Sequence, residues 1–447
     1  MNEIAIGLLV VCGLAILVLP RRLVPVAILI GSCYVTRAQG IDFGPFSFTV
    51  VRILVVVGVL RVLLRGEWLN SRLHGLDGLL LLWGTWMLLS VAFHRDPADQ
   101  VIERLGLVFD AWGAYFVFRY SCRTWRDVTG LCRLLAVVLA PIAVAMVIEK
   151  ATAHNLFAFF GGVPAVPTIR NGNVRAQGPF AHAILAGTIG AVCLPLVLSV
   201  WRRSRAAALL GAAACLAIVV SSTSSGPLLS AGAAVGALLL WPYRQWTRVV
   251  RWGAVVAYVA LSLVMNDPAY YIMARIDLSG GSTGWHRARL IESSIEHLSE
   301  WWMAGTDYTR HWMATGVSWS PDHTDITNHY LQMGVMGGLP LMVLFIALVA
   351  AGFTVISQCL RQSPRRNRFA LWALGASWFA HAVTALAVSY FDQSAVFLYL
   401  TLGLIGAAQT CTVTAKAARK SSTEVRLKRR ELDELPADPV FDTGSAT

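Results

Sequence analysis

Apolar runs of about 16 to 25 residues recur along almost the whole chain, and runs of that length read as helices that cross a membrane. They fall at approximately 4–20, 23–38, 48–64, 76–92, 101–118, 131–149, 180–200, 206–222, 227–241, 249–265, 331–356, 369–390 and 393–411. Leu, Val, Ala and Gly fill them without the alternation of a strand, which fits helices and not an outer-membrane barrel. Only 14% of the 447 residues are charged and the mean hydropathy is +0.60, where a soluble chain carries roughly a quarter charged residues. The expected fold class is therefore an all-α polytopic membrane protein, a single membrane domain over 1–411 with about 12–13 transmembrane helices. The second run is the weakest, because only Arg21 and Arg22 separate it from the first and it ends in Thr36-Arg37.

The formal charge of +12 is distributed by loop, unlike the surface of a nucleic-acid binder, and no nucleic-acid partner is expected. Alternate loops are basic: Arg21 and Arg22; Arg61, Arg65 and Arg72; Arg119, Arg123 and Arg126; Arg202, Arg203 and Arg205; Arg244, Arg248 and Arg251; Arg361, Arg365, Arg366 and Arg368; then Lys416, Arg419 and Lys420. The short loops between them are poor in basic residues, with Arg37 in one and Arg95 offset by Asp96 and Asp99 in another. The positive-inside rule makes the first set cytoplasmic, the N-terminus outside and the C-terminus cytoplasmic. It also places the 150–179 loop and the large 266–330 loop together on the outer face.

The first run lacks a basic leader and a clear cleavage site, so it reads as a retained helix. The eight cysteines show no paired spacing and read as packing residues. The segment 412–447 begins basic, ends acidic and reads as a cytoplasmic tail, disordered at its end.

Two outer segments carry the residues that suit chemistry. In Asn171-Gly172-Asn173-Val174-Arg175-Ala176-Gln177-Gly178-Pro179, turn signals put Arg175 about one helical turn before a span, with His182 in the first turn of that helix. Two readings fit Arg175: a guanidinium fork for a lipid diphosphate at headgroup level, or an interfacial arginine snorkelling to lipid phosphate. In the large loop, 284–298 reads as an amphipathic helix with a stripe of Leu290, Ile291, Ser294, Ile295 and Leu298. Arg287 and Arg289 lie mostly off that stripe, and the spacing to Glu292 and Glu296 leaves at least one of them without a local carboxylate.

Asp322, His323, Asp325, Asn328, His329 and Tyr330 close the loop just before the next apolar run. Their confinement to one segment without a further ligand set argues against a metal centre, and no metal or other cofactor is expected. A neutral histidine there has two readings, a general base for a sugar hydroxyl or a structural hydrogen-bonding residue. Gly334, Gly337, Gly338 and Pro340 follow, suited to close helix approach or a kink.

These segments resemble the O-antigen ligase and O-antigen polymerase superfamily of bacterial inner-membrane proteins. The matching stretches are 173–182 around Arg175, 285–290 around Arg287, and 325–331 continuing to Gly334, Gly337 and Gly338. The resemblance implies a metal-independent glycosyltransferase of GT-C-like architecture. Its substrates would be a polyprenyl-diphosphate-linked oligosaccharide and an acceptor glycan, with a flippase and a chain-length regulator as partners. On that reading Arg175 and Arg287, helped by Arg289, hold the donor diphosphate. His329 or His323 orients or deprotonates the acceptor hydroxyl, Asp325 orients the histidine, and His182, Asn328 and Tyr330 support the site. Where ligases commonly show His followed by Asn, this chain has Thr327-Asn328 with His329 one residue later. The turn at 221–227 carries no arginine, so no phosphate contact is assigned there. Polymerisation of repeat units is the leading expectation; the alternatives are ligation of a finished glycan to lipid A core or another acceptor, and solute transport through ionisable Glu103, Arg104 and Asp110.

Overall fold

The computed structural model describes residues 1–69, 71–275, 284–318 and 320–433, with side chains through 416. Each apolar run is a helix. In chain order these are α1 (Glu3–Val18), α2 (Val24–Tyr34), α3 (Val50–Leu64), α4 (Gly75–Leu89), α5 (Pro97–Ser121), α6 (Trp125–Thr152), α7 (Ala183–Leu198), α8 (Arg205–Ser221), α9 (Ser225–Leu239) and α10 (Thr247–Val264). The large loop holds α11 (Ile272–Arg275), α12 (Gly284–Glu296) and α13 (Leu298–Trp301), and the chain ends in α14 (His329–Gln362), α15 (Arg365–Ala385) and α16 (Gln393–Asp433).

Among the described residues, five helical segments are long and apolar enough to cross a membrane: Gly75–Phe93, Trp125–Thr152, Arg244–Val264, His329–Gln362 and Gln393–Lys416. Shorter apolar helices are α1, α7, α8 and α9. The protein is thus a helical, multi-span membrane protein, with fewer full-length spans than the 12–13 expected. The short second run shows why: α2 has 11 residues, a rise of about 16 Å, roughly half the hydrocarbon thickness. Past Thr36 and Arg37 the chain folds into an antiparallel hairpin, Gly40–Phe43 against Phe46–Thr49. At the other end α16 continues through Asp433, into the segment expected to be tail, and 434–447 lies outside the described residues.

Local chemistry starts these helices where they start. Thr124 caps α6 through the Asp127 amide, and the Asp127 side chain answers to the Thr124 amide, a reciprocal capping box. Asn328 caps α14 by accepting from the Tyr330 and Leu331 amides at 3.0 and 3.2 Å. In the bundle α7 is the central element, packed on α8, α9 and α15, while α5 packs on α16 and α6 on α8. Close approach is built on small residues: a Cβ at Gly190 would stand 2.6 Å from the Cys215 carbonyl oxygen of α8. By contrast, no residue of α10 is buried. All eight cysteines are buried free thiols.

One buried ion pair joins α4 and α5. Asp77 and Arg119 meet at 2.9 Å, both almost fully buried, and the Asp77 carboxylate also accepts from the Tyr115 hydroxyl at 2.6 Å. The pair is held by its mutual attraction and by further bonds, Arg119 Nη2 to the Arg72 carbonyl at 2.7 Å and the His74 amide to the Asp77 carboxylate.

The kink suggested by Gly337, Gly338 and Pro340 is present, and it shapes the loop end of α14. Gly337 and Gly338 leave helical geometry, Gly338 at φ +74°. A Cβ on Gly338 would lie 2.4 Å from the Met303 backbone, so glycine is required on both counts. The break frees carbonyls that a helix would use internally. Trp86 Nε1 donates to the Gly337 carbonyl at 2.8 Å, and Arg104, His94 and Ser90 gather on the Met336 carbonyl. In return the Leu339 amide bonds the Trp302 carbonyl at 2.7 Å, pinning the large loop to the kink.

Candidate functional site

A cavity of about 1200 Å³ opens at one end of the bundle. Its wall comes from alternate connections and the helix ends beside them: 35–37, 49–55, 168–185, the large loop, and 387–399. Arg175, His182, Arg287, His323, Asp325 and His329 all line it, so the 150–179 and 266–330 loops meet there.

Arg175 stands at the foot of a hairpin rather than one helical turn before a span. Ile169–Arg170 pairs with Asn173–Val174, and Asn171 and Gly172 turn the chain with φ +50° and +74°, the positive angles that a two-residue hairpin needs and Asn-Gly supplies. The Arg175 amide then bonds the Thr168 carbonyl at 3.0 Å. The following segment is tied down by Glu149, a buried carboxylate at the end of α6, which accepts from the Gln177 and Gly178 amides at 3.0 and 2.8 Å. Arg175 Nη2 donates to Ser224 Oγ at 2.8 Å, and its Nε is buried without a protein partner. The turn at 221–227 thus contributes, through a hydroxyl that holds an arginine in place.

Arg287 projects from α12, nearly buried, and its Nε donates to the Ala387 carbonyl at 2.9 Å. Burial lowers the pKa of both Arg287 and Arg175, and Arg170 pushes in the same direction on each. Among the described residues none of these three arginines has an ion-pair partner, whereas Arg37 pairs with Asp392 at 3.1 Å and Arg52 with Asp110 at 2.8 Å on the same cavity wall. Asp325 lies close enough to stabilise the Arg287 charge without forming a bridge. Two partly desolvated guanidinium groups, each held by one bond and with Arg170 near enough to repel both, suit an anionic ligand.

Arg289 is elsewhere. It bridges Glu292 at i,i+3 and reaches Glu296 at 3.4 Å, and it does not line the cavity. The carboxylates that looked badly spaced are its partners, so Arg289 does not stand with Arg175 and Arg287. Asn328 spends its side-chain oxygen on the α14 cap, and the Tyr330 hydroxyl donates to the Ala382 carbonyl at 3.1 Å. Neither lines the cavity.

The histidines differ from one another. His329 is buried against Phe345 and Tyr390, and its Nδ1 accepts from the Tyr390 amide at 3.2 Å. The neutral ring must then carry its proton on Nε2, so it offers a donor and not a base. His323 Nδ1 shares a hydrogen bond with Ser320 Oγ at 2.7 Å. Among the described residues no hydrogen bond joins the Asp325 carboxylate to His323 or His329; the Asp325 carbonyl meets His286 Nε2 at 3.3 Å, and the residue lines the cavity. His182, just before the start of α7, is exposed in the cavity with its ring edge on Phe391. Desolvation, with Arg37 and Arg175 adding to it, holds the His182 imidazole below its ordinary value despite Asp325 and Asp392.

Thr36 Oγ1, Trp83 Nε1 and Thr327 Oγ1 are further buried polar atoms on this wall without protein partners. Such groups are rare inside proteins, and these three face a cavity in which water or a ligand can satisfy them. Ser224, Glu149 and Arg170 were not legible as site residues, although Glu149 stands out in the sequence as the acid at the end of an apolar run.

No protein-family model matches the chain, and no curated protein matches it significantly.

Proposed function

We propose that this protein is a membrane glycosyltransferase that polymerises polyprenyl-diphosphate-linked oligosaccharide units at the outer face of a bacterial inner membrane. The observation that carries the reading is the meeting of Arg170, Arg175 and Arg287 on one cavity wall, with no ion-pair partner among the described residues. A diphosphate supplies the charge and the oxygen geometry that guanidinium forks match. The orientation from the basic loops, with the N-terminus outside, belongs to the same proposal and would open the cavity on the side where lipid-linked saccharides are polymerised. So do the GT-C-like architecture and membership of the O-antigen ligase and polymerase superfamily, which the stretches 173–182, 285–290 and 325–338 resemble.

In this mechanism the acceptor hydroxyl gives its proton to His182 as its oxygen bonds the anomeric carbon of the donor. The bond from that carbon to the diphosphate oxygen breaks, and the electron pair leaves on the diphosphate, where the arginines stabilise it. His329 Nε2–H and His323 hold the acceptor. Because His182 must be neutral to act, turnover is expected to rise with pH through a midpoint below the ordinary imidazole value of about 6.5 and to be flat above it. An acid limb centred above 6.5, or one that survives His182→Asn, removes His182 from this role.

The reading is tested by incubating purified protein with polyprenyl-diphosphate oligosaccharide and resolving the products by size. A ladder of longer glycans is expected. A single transferred product means ligation, and substrate flux into liposomes without any glycan product means transport.

A further inference from the structure

Outside the cavity, the large loop brings His297, Glu300 and His311 together so that one ligand atom from each lies within 4.8 Å of the others. None of the three lines the cavity. His297 Nδ1 donates to the Ser293 carbonyl at 2.8 Å, which fixes the neutral tautomer and leaves the Nε2 lone pair available. The His297 and His311 rings meet edge to face with centroids 4.6 Å apart. His311 Nε2 is 3.1 Å from Glu300 Oε1 and 3.0 Å from Oε2, and Trp312 Nε1 donates to Glu300 Oε2 at 3.3 Å. Tyr308 stacks on the His311 ring at 5.0 Å. His297 and Glu300 thus each have an outer hydrogen bond that orients them, as metal-binding histidines and carboxylates commonly do, and the His311 ring is set by its stack on Tyr308.

We propose that His297, Glu300 and His311 bind one divalent transition-metal ion of the zinc class. Two imidazoles and one carboxylate are a known zinc donor set, and imidazole disfavours the oxygen-seeking Mg²⁺ and Ca²⁺. Glu300 and His311 are exposed, so water has access to a fourth position. The ion takes the place of the proton between His311 and Glu300, and affinity falls as pH is lowered. Its effect is mechanical: it clips the α12–α13 junction and α13 to the turn at 310–312, in the same loop that carries Arg287, His323 and Asp325. As the three residues stand outside the cavity, the ion takes no part in the proposed transfer, and the two proposals succeed or fail separately.

The test uses the full chain in detergent, purified without a polyhistidine tag and dialysed against Zn²⁺, Co²⁺ or Ca²⁺. One equivalent of zinc is expected to be retained, with cobalt giving the visible absorption of a site containing protein ligands and calcium lost on dialysis. The variants His297→Ala/His311→Ala and, separately, Glu300→Gln should lose the bound zinc, while His154→Gln, an exposed histidine elsewhere, should keep it. Melting in metal-free buffer checks that the variants fold, and zinc should raise the melting temperature only where the three ligands are intact. Failure of the wild type to retain zinc, or retention by the double variant or by Glu300→Gln equal to that of wild type, means that the cluster is only an exposed histidine–glutamate pair and overturns the proposal.

Discussion

Replacing Arg175 or Arg287 with alanine, one at a time, is expected to lower turnover of a lipid-diphosphate-linked saccharide by about 100- to 1000-fold, the loss typical of removing one donor from a developing anion. Both side chains are held by the protein through single bonds, Arg175 to Ser224 and Arg287 to the Ala387 carbonyl, with no carboxylate bridge to compete for them. Lysine at position 287 keeps the charge but loses the fork and the bond from Nε, so an intermediate loss is expected. Arg289→Ala provides the contrast. That arginine is engaged by Glu292 and Glu296 away from the cavity, and turnover should stay within a few-fold of wild type. The comparison is made on purified protein matched for amount and melting temperature. Equal losses at Arg287 and Arg289 would point to a general effect on α12 and not to a diphosphate contact.

The second large effect concerns the packing of α4 against α5. Asp77→Ala is expected to destabilise the protein by about 3–5 kcal/mol, because it leaves the Arg119 charge buried with its carboxylate partner gone. The Tyr115 hydroxyl and the His74 amide lose their acceptor at the same time. Adding Arg119→Met to Asp77→Ala should restore much of the loss, since removing both charges ends the desolvation cost that removing one exposes. Thermal unfolding in detergent, followed for wild type, single and double variants, reads both effects. A single variant that melts with the wild type would show that the pair contributes nothing.

The parts of the fold that depend on local pattern were legible in the sequence. Long apolar runs become helices whatever surrounds them, Asn171-Gly172 turns a hairpin by its own backbone preference, and Gly337-Gly338 with Pro340 breaks α14. What depended on length was legible less well. An apolar run does not reveal where its helix ends, so α2 stops early and α16 runs on through Asp433. Side-chain partnerships across the bundle were hidden for a different reason: the ties from Glu149 to 177–178 and from Ser224 to Arg175 join segments whose spacing carries no signal. The same blindness made His329 look like a base, because nothing local announces the Tyr390 amide that occupies Nδ1. The Asn328 cap is different, a contact two and three residues along the chain that an Asn just before an apolar run signals.

The central claim is that the guanidinium groups of two separate loops hold one diphosphate. Its most direct test is equilibrium binding of a short polyprenyl diphosphate and the matching monophosphate to wild type, Arg175→Ala and Arg287→Ala in detergent. The account predicts tighter binding of the diphosphate, with that preference lost in either variant. Equal binding of the two lipids by wild type, or a preference that survives both substitutions, would contradict it.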